Sequence, residues 1–212
     1  MTSEGGPIDY DDEARKLFAR TNLEPTSRHQ WSNLDAIWRH PSEGGGKVYV
    51  GNYVAASNRK ALDERGIVAV VNCRDSNNYF EGDRAEPEIE YRCFGIASLA
   101  VRCVTAEGAA GRGALEGCLP VFQFIEKHIS VGHSVLIHCL AGAHRAGTCG
   151  VAYLMWKTGM GVDDAIAVAK NCRPVISPFA TLLALLRNLE KDLVATNAKF
   201  KKVSSDGDSS RL

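Results

Sequence analysis

The sequence predicts an α/β fold in which a central, mostly parallel, twisted sheet is flanked by helices. Two short apolar runs rich in β-branched residues, 67–72 and 134–137, are typical of strands buried on both faces. A segment with helical spacing precedes the first run, and the order strand, helix, strand favours a right-handed crossover between parallel strands. In such sheets the chemistry lies beyond the carboxyl ends of the strands.

Length and composition indicate one globular domain with extensions. The chain has 212 residues, of which 45% are hydrophobic and 24% charged, and its formal net charge is zero. We expect neither nucleic acid nor a membrane as partner, because no charge excess, membrane-spanning run or signal sequence is present. The seven cysteines show no Cys-x-x-Cys pair and no zinc-like spacing, so we expect no metal. Because a signal sequence and a membrane-spanning run are lacking, we expect a reducing cytoplasmic or nuclear compartment.

Residues 1–46 are expected to form an N-terminal extension with a mobile start and a short amphipathic helix over residues 11–18. Trp31 and Trp38 lie seven residues apart further along, with Leu34 and Ile37 between them. This spacing predicts a helix packed on the domain. The alternative is a docking surface for a partner or substrate, built from exposed tryptophans.

The remaining elements follow in order over an expected domain of residues 47–195. After a first strand at 48–50, a helix at 57–65 is ended by Gly66, which suits a C-cap. The glycine-rich stretch 107–117 predicts a flexible loop. Residues 196–212 are polar, and we expect a disordered tail. Further helices are predicted to begin near residues 119, 145, 162 and 179.

The most informative stretch is residues 138–148, which read His-Cys-Leu-Ala-Gly-Ala-His-Arg-Ala-Gly-Thr between a predicted strand and a predicted helix. Loop amides and the helix dipole together make an anion site there. The same groups would stabilise the thiolate of Cys139 as a nucleophile, and the planar fork of Arg145 can bind two phosphate oxygens. We therefore predict Cys139 and Arg145 as catalytic residues. The predicted phosphate-binding residues are Leu140, Ala141, Gly142, Ala143, His144 and Arg145.

This stretch resembles the signature of cysteine-dependent phosphatases, in particular the dual-specificity branch. Residues 48–58, 152–155 and 173–178 resemble further segments of the same family, so the resemblance covers roughly residues 47–195. It implies a phosphotyrosine protein phosphatase-like sheet of about four to five strands. The implied activity is hydrolysis of phosphotyrosine and phosphoserine or phosphothreonine on a phosphorylated protein, through a phosphocysteine and without a cofactor. His138 is then expected to order hydrogen bonds beneath the cysteine.

Two positions depart from the family pattern. The aspartic acid that protonates the leaving oxygen in relatives falls on Ser98 here, so the general acid is not identified, and Asp75 and Glu107 are the nearest candidates. Ala146 replaces a hydroxyl residue common in the family, which should slow hydrolysis of the phosphocysteine more than its formation.

Several alternatives stay open at this point. The departures are compatible with weak activity, with a phosphate-binding pseudophosphatase scaffold, or with a phosphatase of a phosphoinositide or phosphoglucan. The lack of lysine in residues 140–144 disfavours a highly charged inositol head group. The sequence does not indicate an oligomeric state.

Two further side chains near the loop have open roles. Cys73 lies where phosphoinositide-directed relatives carry a cysteine that forms a disulfide with the nucleophile, so the resemblance implies a redox partner for Cys139. The alternative is an inert cysteine at a strand end. His144 is expected either to contact substrate or to face solvent.

Overall fold

The computed structural model describes residues 8–10, 12, 32–82, 88–105 and 113–206. The strands are β1 (Leu34–Arg39), β2 (Lys47–Gly51), β3 (Ile67–Asn72), β4 (Glu90–Cys93) and β5 (Ser134–His138). Their order in the sheet is β1-β2-β5-β3-β4. Strand β1 is antiparallel to β2, whereas β2, β5, β3 and β4 are mutually parallel. The predicted mostly parallel α/β sheet is confirmed.

Helices cover both faces of the sheet, which explains why β2, β3 and β5 are apolar along nearly their whole length. A small cluster under the first two helices includes Leu62 and Leu136, and the larger core includes Val50, Ile137 and the later helices. Among the described residues, no helix combines the length and apolar character of a membrane span. The helices are α1 (Tyr53–Ala56), α2 (Arg59–Asp63), α3 (Ile96–Thr105), α4 (Ala114–Ile129), α5 (Arg145–Thr158), α6 (Val162–Cys172) and α7 (Ala180–Asp206).

The segment around Trp38 is an edge strand, so the helix predicted there is wrong. Buried residues recur every third position along β1, at Leu34 and Ile37, because the pairing register with β2 shifts between Ala36 and Trp38. A bulge of this kind replaces the usual alternation of a strand with a spacing that resembles a helix. Strand β1 thus joins the sheet although it falls within the expected N-terminal extension. Trp38 packs partly buried on the core, and Trp31 lies outside the described residues.

Two other segments differ from expectation. Helix α4 already begins at Ala114, and its Gly117 allows close packing, because a Cβ there would lie 2.5 Å from Leu99 Cδ1. That part of the predicted flexible loop is therefore helical. Helix α7 continues to Asp206, so the tail expected to be disordered from residue 196 is helical over most of its length. Residues 106–112, with Glu107, and residues 207–212 lie outside the described ranges.

Candidate active site

The loop of residues 139–144 leaves the centre of the sheet at the carboxyl end of β5 and leads directly into α5. Strands β2 and β3 flank β5 in parallel, so their carboxyl ends lie at the same edge. Arg145 is the first residue of α5 and is buried. The predicted strand, loop and helix start therefore meet at the place where α/β sheets bind ligands.

Cys139 and Gly142 face each other across the loop. The Gly142 amide donates a hydrogen bond to Cys139 Sγ at 3.3 Å, and Cys139 is only 3% exposed. Gly142 has a φ of +66°, and a Cβ there would lie 2.4 Å from the Gly51 carbonyl oxygen at the end of β2. Only glycine fits this turn, which directs a backbone N–H toward the sulfur.

Arg173 holds the loop through its backbone carbonyls, a role that is not evident from sequence. Its Nε donates to the Gly142 carbonyl at 3.0 Å, and its Nη2 donates to the Ala141 carbonyl at 3.2 Å. Its Nη1 donates to Asp35 Oδ2 at 2.6 Å and to the Ser32 carbonyl at 2.8 Å. Burial lowers the pKa of Arg173, whereas Asp35 on β1 opposes that shift. Because Arg173 binds these two loop carbonyls on one side, it helps to fix the loop conformation that directs the Gly142 amide toward Cys139.

The two histidines of the stretch are both buried, but they differ in their contacts. Burial lowers the pKa of His138 to about 3, with the Arg74 and Arg145 cations adding to the effect, so His138 is neutral at pH 7. Its ring nitrogens make no hydrogen bond of good geometry with the described residues, and its organising role stays a prediction. His144 does not face solvent, because its Nδ1 lies 2.8 Å from the Ser177 carbonyl and its ring contacts Phe179 edge-on at 4.8 Å.

The positions that depart from the family pattern are also visible. Ser98 is an exposed residue in the first turn of α3, and that helix carries no carboxylate. Ala146 is fully buried. Thr148 does not replace the missing hydroxyl, since its Oγ1 donates to the His144 carbonyl at 2.7 Å.

A cavity of about 210 Å³ lies over Arg145. Asp75 lines it, whereas Glu107, the other carboxylate that the sequence suggested, lies outside the described residues. Within the described ranges, no group of three or more His, Cys, Asp or Glu side chains is arranged to hold a metal ion. The lining residues are Ile8, Asp9, Tyr10, Arg74, Asp75, Ala97 and Arg145.

Cys73 directly follows β3, as Cys139 directly follows the neighbouring strand β5. The Cys73 amide donates to the His138 carbonyl at 2.9 Å. A hydrogen bond with Cys73, together with burial, raises the pKa of the Cys149 thiol on α5. All seven cysteines are free thiols.

Solved structures share this fold. The chain superposes on human DUSP28 with a TM-score of 0.57 at 20% identity, covering 81% of this chain and 99% of that one. PTPMT1 in complex with PI(5)P gives a TM-score of 0.55 at 17% identity, covering 78% of this chain and 99% of that one. At these identities the likeness concerns the fold alone.

The family assignment rests on sequence relatives and on a family model. Dual specificity protein phosphatase 1 of Arabidopsis thaliana is 31% identical over 153 residues, which are 72% of this chain and 70% of the relative. Human dual specificity protein phosphatase 4 is 27% identical over 161 residues, which are 76% of this chain but only 37% of the relative. The family model for the catalytic domain of dual specificity phosphatases matches residues 48–192. The chain belongs to the dual-specificity phosphatase family.

Proposed function

We propose that this protein hydrolyses phosphate monoesters on tyrosine and serine or threonine side chains of proteins through a phosphocysteine. One observation supports this most directly. Cys139 and Arg145 bracket a loop at the end of the central strand, and the Gly142 amide already points at the sulfur. The site thus combines a nucleophile, inward amides and a cation, which are the groups that phosphoryl transfer requires.

In the first step the Cys139 sulfur bonds to phosphorus as the ester P–O bond breaks. The amides of residues 140–145 and the Arg145 guanidinium bind the three non-bridging oxygens and hold them in line with the sulfur. A carboxyl group at the cavity, where Asp9 and Asp75 lie, protonates the leaving oxygen. His138 is not the proton donor, because its lowered pKa keeps the imidazole neutral at pH 7.

In the second step water attacks the phosphocysteine, releasing phosphate and restoring the thiolate. No hydroxyl stands at Ala146 to assist the departing sulfur, and the Thr148 hydroxyl is bound to the His144 carbonyl. We therefore expect this step to limit turnover, so that a burst of released alcohol precedes the steady rate.

Arg145 lines the cavity, so we place the phosphorylated side chain of the substrate beside it. We take a phosphorylated protein in a reducing compartment, the cytoplasm or nucleus, as its partner. The seven free thiols support that compartment, because the nucleophile must stay reduced.

A phosphate-binding scaffold is the second candidate function. The residue at the family's acid position is Ser98, and Ala146 removes the hydroxyl that assists the second step. A protein with these changes could retain the anion site while turning over slowly. A phosphatase of phosphoinositide or phosphoglucan is the third candidate, and the lack of lysine in residues 140–144 argues against a highly charged inositol head group.

The test is hydrolysis of p-nitrophenyl phosphate by the full chain, followed by phosphotyrosyl and phosphoseryl peptides, phosphoinositide vesicles and phosphoglucan. We expect Cys139→Ser to abolish turnover, whereas Cys172→Ser, at an exposed cysteine, leaves it unchanged. Binding of tungstate without turnover would support the scaffold. Failure to bind tungstate or vanadate would contradict both the phosphatase and the scaffold, because each requires an anion site.

We also propose that Cys73 protects Cys139 from irreversible oxidation. Peroxide converts the Cys139 thiolate to a sulfenic acid, which the Cys73 thiol attacks to form a disulfide with loss of water. Neighbouring strands are ~4.8 Å apart, which suits the Cα separation of a disulfide. Mass spectrometry of non-reduced peptides after peroxide treatment should show the 73–139 cross-link. Its absence, or a cross-link from Cys149 instead, would contradict this role.

A further inference from the structure

A short N-terminal segment, Ile8–Tyr10, lines the same cavity as Arg145; we call it the strap. Its anchor is Tyr10, whose side chain is only 6% exposed although the residue lies far from the domain in sequence. The Tyr10 hydroxyl lies 2.7 Å from Thr181 Oγ1, and its ring packs edge-on against Phe179 at 5.6 Å. A buried tyrosine with a bonded hydroxyl holds the adjoining backbone in a defined place.

The anchor is linked to the catalytic loop itself. Phe179, which contacts Tyr10, also packs edge-on against His144 at 4.8 Å. The imidazole in turn lies 2.8 Å from the Ser177 carbonyl. Tyr10 is therefore connected through packed rings to His144, the residue that precedes Arg145.

The strap forms a wall of the cavity and does not fill it. All three strap residues line the space over Arg145, and about 210 Å³ remains open beside them. Arg145, the cation of the signature motif, lines the same space. The strap is therefore part of the site that a substrate meets.

No carboxylate stands at the position where relatives carry the general acid, whereas Asp9 of the strap brings a carboxylate to the cavity. Ser98 on α3 provides no carboxylate, yet its neighbour Ala97 lines the same cavity as Asp9. The Asp9 carboxylate is also held in place, because the Asp12 amide donates to Asp9 Oδ1 at 3.1 Å. Arg74, Asp75 and Arg145 are the charged side chains that share the cavity with it.

We infer that Asp9 is the proton donor of the reaction and that Tyr10 is the positioning residue that holds it. As the S–P bond forms and the ester P–O bond breaks, the Asp9 carboxyl gives its proton to the leaving oxygen. In the second step the Asp9 carboxylate takes a proton from the attacking water, which restores the carboxyl. This inference rests on the proposed phosphatase function and adds a catalytic residue to it.

Asp75 is the competing carboxylate, and preorganisation favours Asp9. Asp75 is exposed, and its carboxylate makes no hydrogen bond or ion pair within the part of the chain that the structure describes. Asp9, in contrast, is fixed by the Asp12 amide and by the neighbouring Tyr10 anchor. A general acid is effective when its geometry is set before reaction.

The experiment measures kcat/KM of the full-length protein with phenyl phosphate and with 2,4-dinitrophenyl phosphate, whose leaving group needs no proton. Asp9→Asn should lower the phenyl phosphate value on the order of 10²-fold and leave the dinitrophenyl value within a few-fold. Tyr10→Ala should give the same leaving-group pattern in weaker form, and Tyr10→Phe should be closer to wild type.

The matched control is Asp75→Asn, together with tungstate affinity as a readout independent of turnover. If Asp75→Asn shows the leaving-group pattern and Asp9→Asn does not, the assignment to Asp9 is overturned. A rise in activity with Asp9→Asn would equally overturn it, because the strap would then obstruct the cavity and not supply the proton. If the wild type binds tungstate but turns over neither ester, the phosphatase proposal fails and the role of Asp9 fails with it. Unchanged tungstate affinity in Asp9→Asn, combined with the expected pattern, supports it.

Discussion

Replacing Arg173 with methionine should weaken both the fold and the candidate site. The change removes the donors of three backbone carbonyls and leaves the Asp35 carboxylate, whose side chain is 26% exposed, without its cation. A buried acceptor left unpaired costs about 1–3 kcal/mol, and breaking a buried ion pair costs about 3–5 kcal/mol. The two costs overlap, and water reaches Asp35, so neither applies in full. We therefore expect the free energy of unfolding to fall by about 4 kcal/mol.

Urea denaturation with and without tungstate measures this change. With a slope of about 2 kcal/mol/M, the midpoint should fall by about 2 M. Tungstate at 100 times its Kd should stabilise the wild type by about 2.7 kcal/mol and stabilise the variant much less, because the loop amides lose their orientation.

Two further variants serve as comparisons for Arg173→Met. Arg173→Lys should lie between wild type and Arg173→Met, because lysine keeps the charge but not the planar set of donors. Arg187→Met removes an arginine on α7 that pairs with Asp163 at the surface, and it should leave the midpoint unchanged. If Arg173→Met and Arg187→Met gave the same midpoint and the same tungstate effect, the argument that Arg173 holds the loop would be wrong.

Three further predictions concern the loop and its surroundings. Gly142→Ala should reduce kcat/KM on the order of 10²-fold, because its Cβ would meet the Gly51 carbonyl at 2.4 Å. Gly159→Ala, with a φ of +75° but open space, should cost only about 1 kcal/mol of stability and no activity. The unfolding free energy should fall by about 2 kcal/mol between pH 7 and pH 5, because the unfolded chain protonates His138 near pH 6.5 while the folded chain, with a pKa of about 3, does not. His138→Asn should remove that part of the pH dependence in urea titrations, and an unchanged slope would contradict the assignment. Ala146→Ser should speed phosphocysteine hydrolysis about tenfold and shrink the burst seen by stopped flow, since one added hydrogen bond is worth ~1–1.5 kcal/mol; an unchanged burst would place the slow step elsewhere.

The parts of the fold that could be predicted from sequence are those in which local pattern and burial agree. Strands β3 and β5 are continuous apolar runs, and the loop after β5 carries its chemistry in consecutive residues, so a short window of sequence suffices. Strand β1 has the sequence pattern of a helix, because its bulge spaces buried residues three apart. Gly117 has the sequence pattern of a loop, because sequence does not show that Leu99 packs against it.

The site was predictable only as far as its residues are adjacent in the chain. Cys139 and Arg145 belong to one motif, whereas Arg173 reaches the loop from more than thirty residues away. Tyr10 is still more remote, since it lies 171 positions before Thr181 in the sequence. Nothing in their local sequence marks such side chains, because their roles arise from tertiary contacts that only the folded chain brings together.

The bond between Arg173 and Asp35 has a consequence for how this protein should be handled in the laboratory. Asp35 and the strap both precede residue 48, where the match to the family begins. A fragment trimmed to residues 48–192 would keep the sulfur and the guanidinium of the signature motif. It would nevertheless bury Arg173 without the Asp35 carboxylate that pairs with it. Low activity of such a fragment would therefore result from the truncation and would not describe the intact chain.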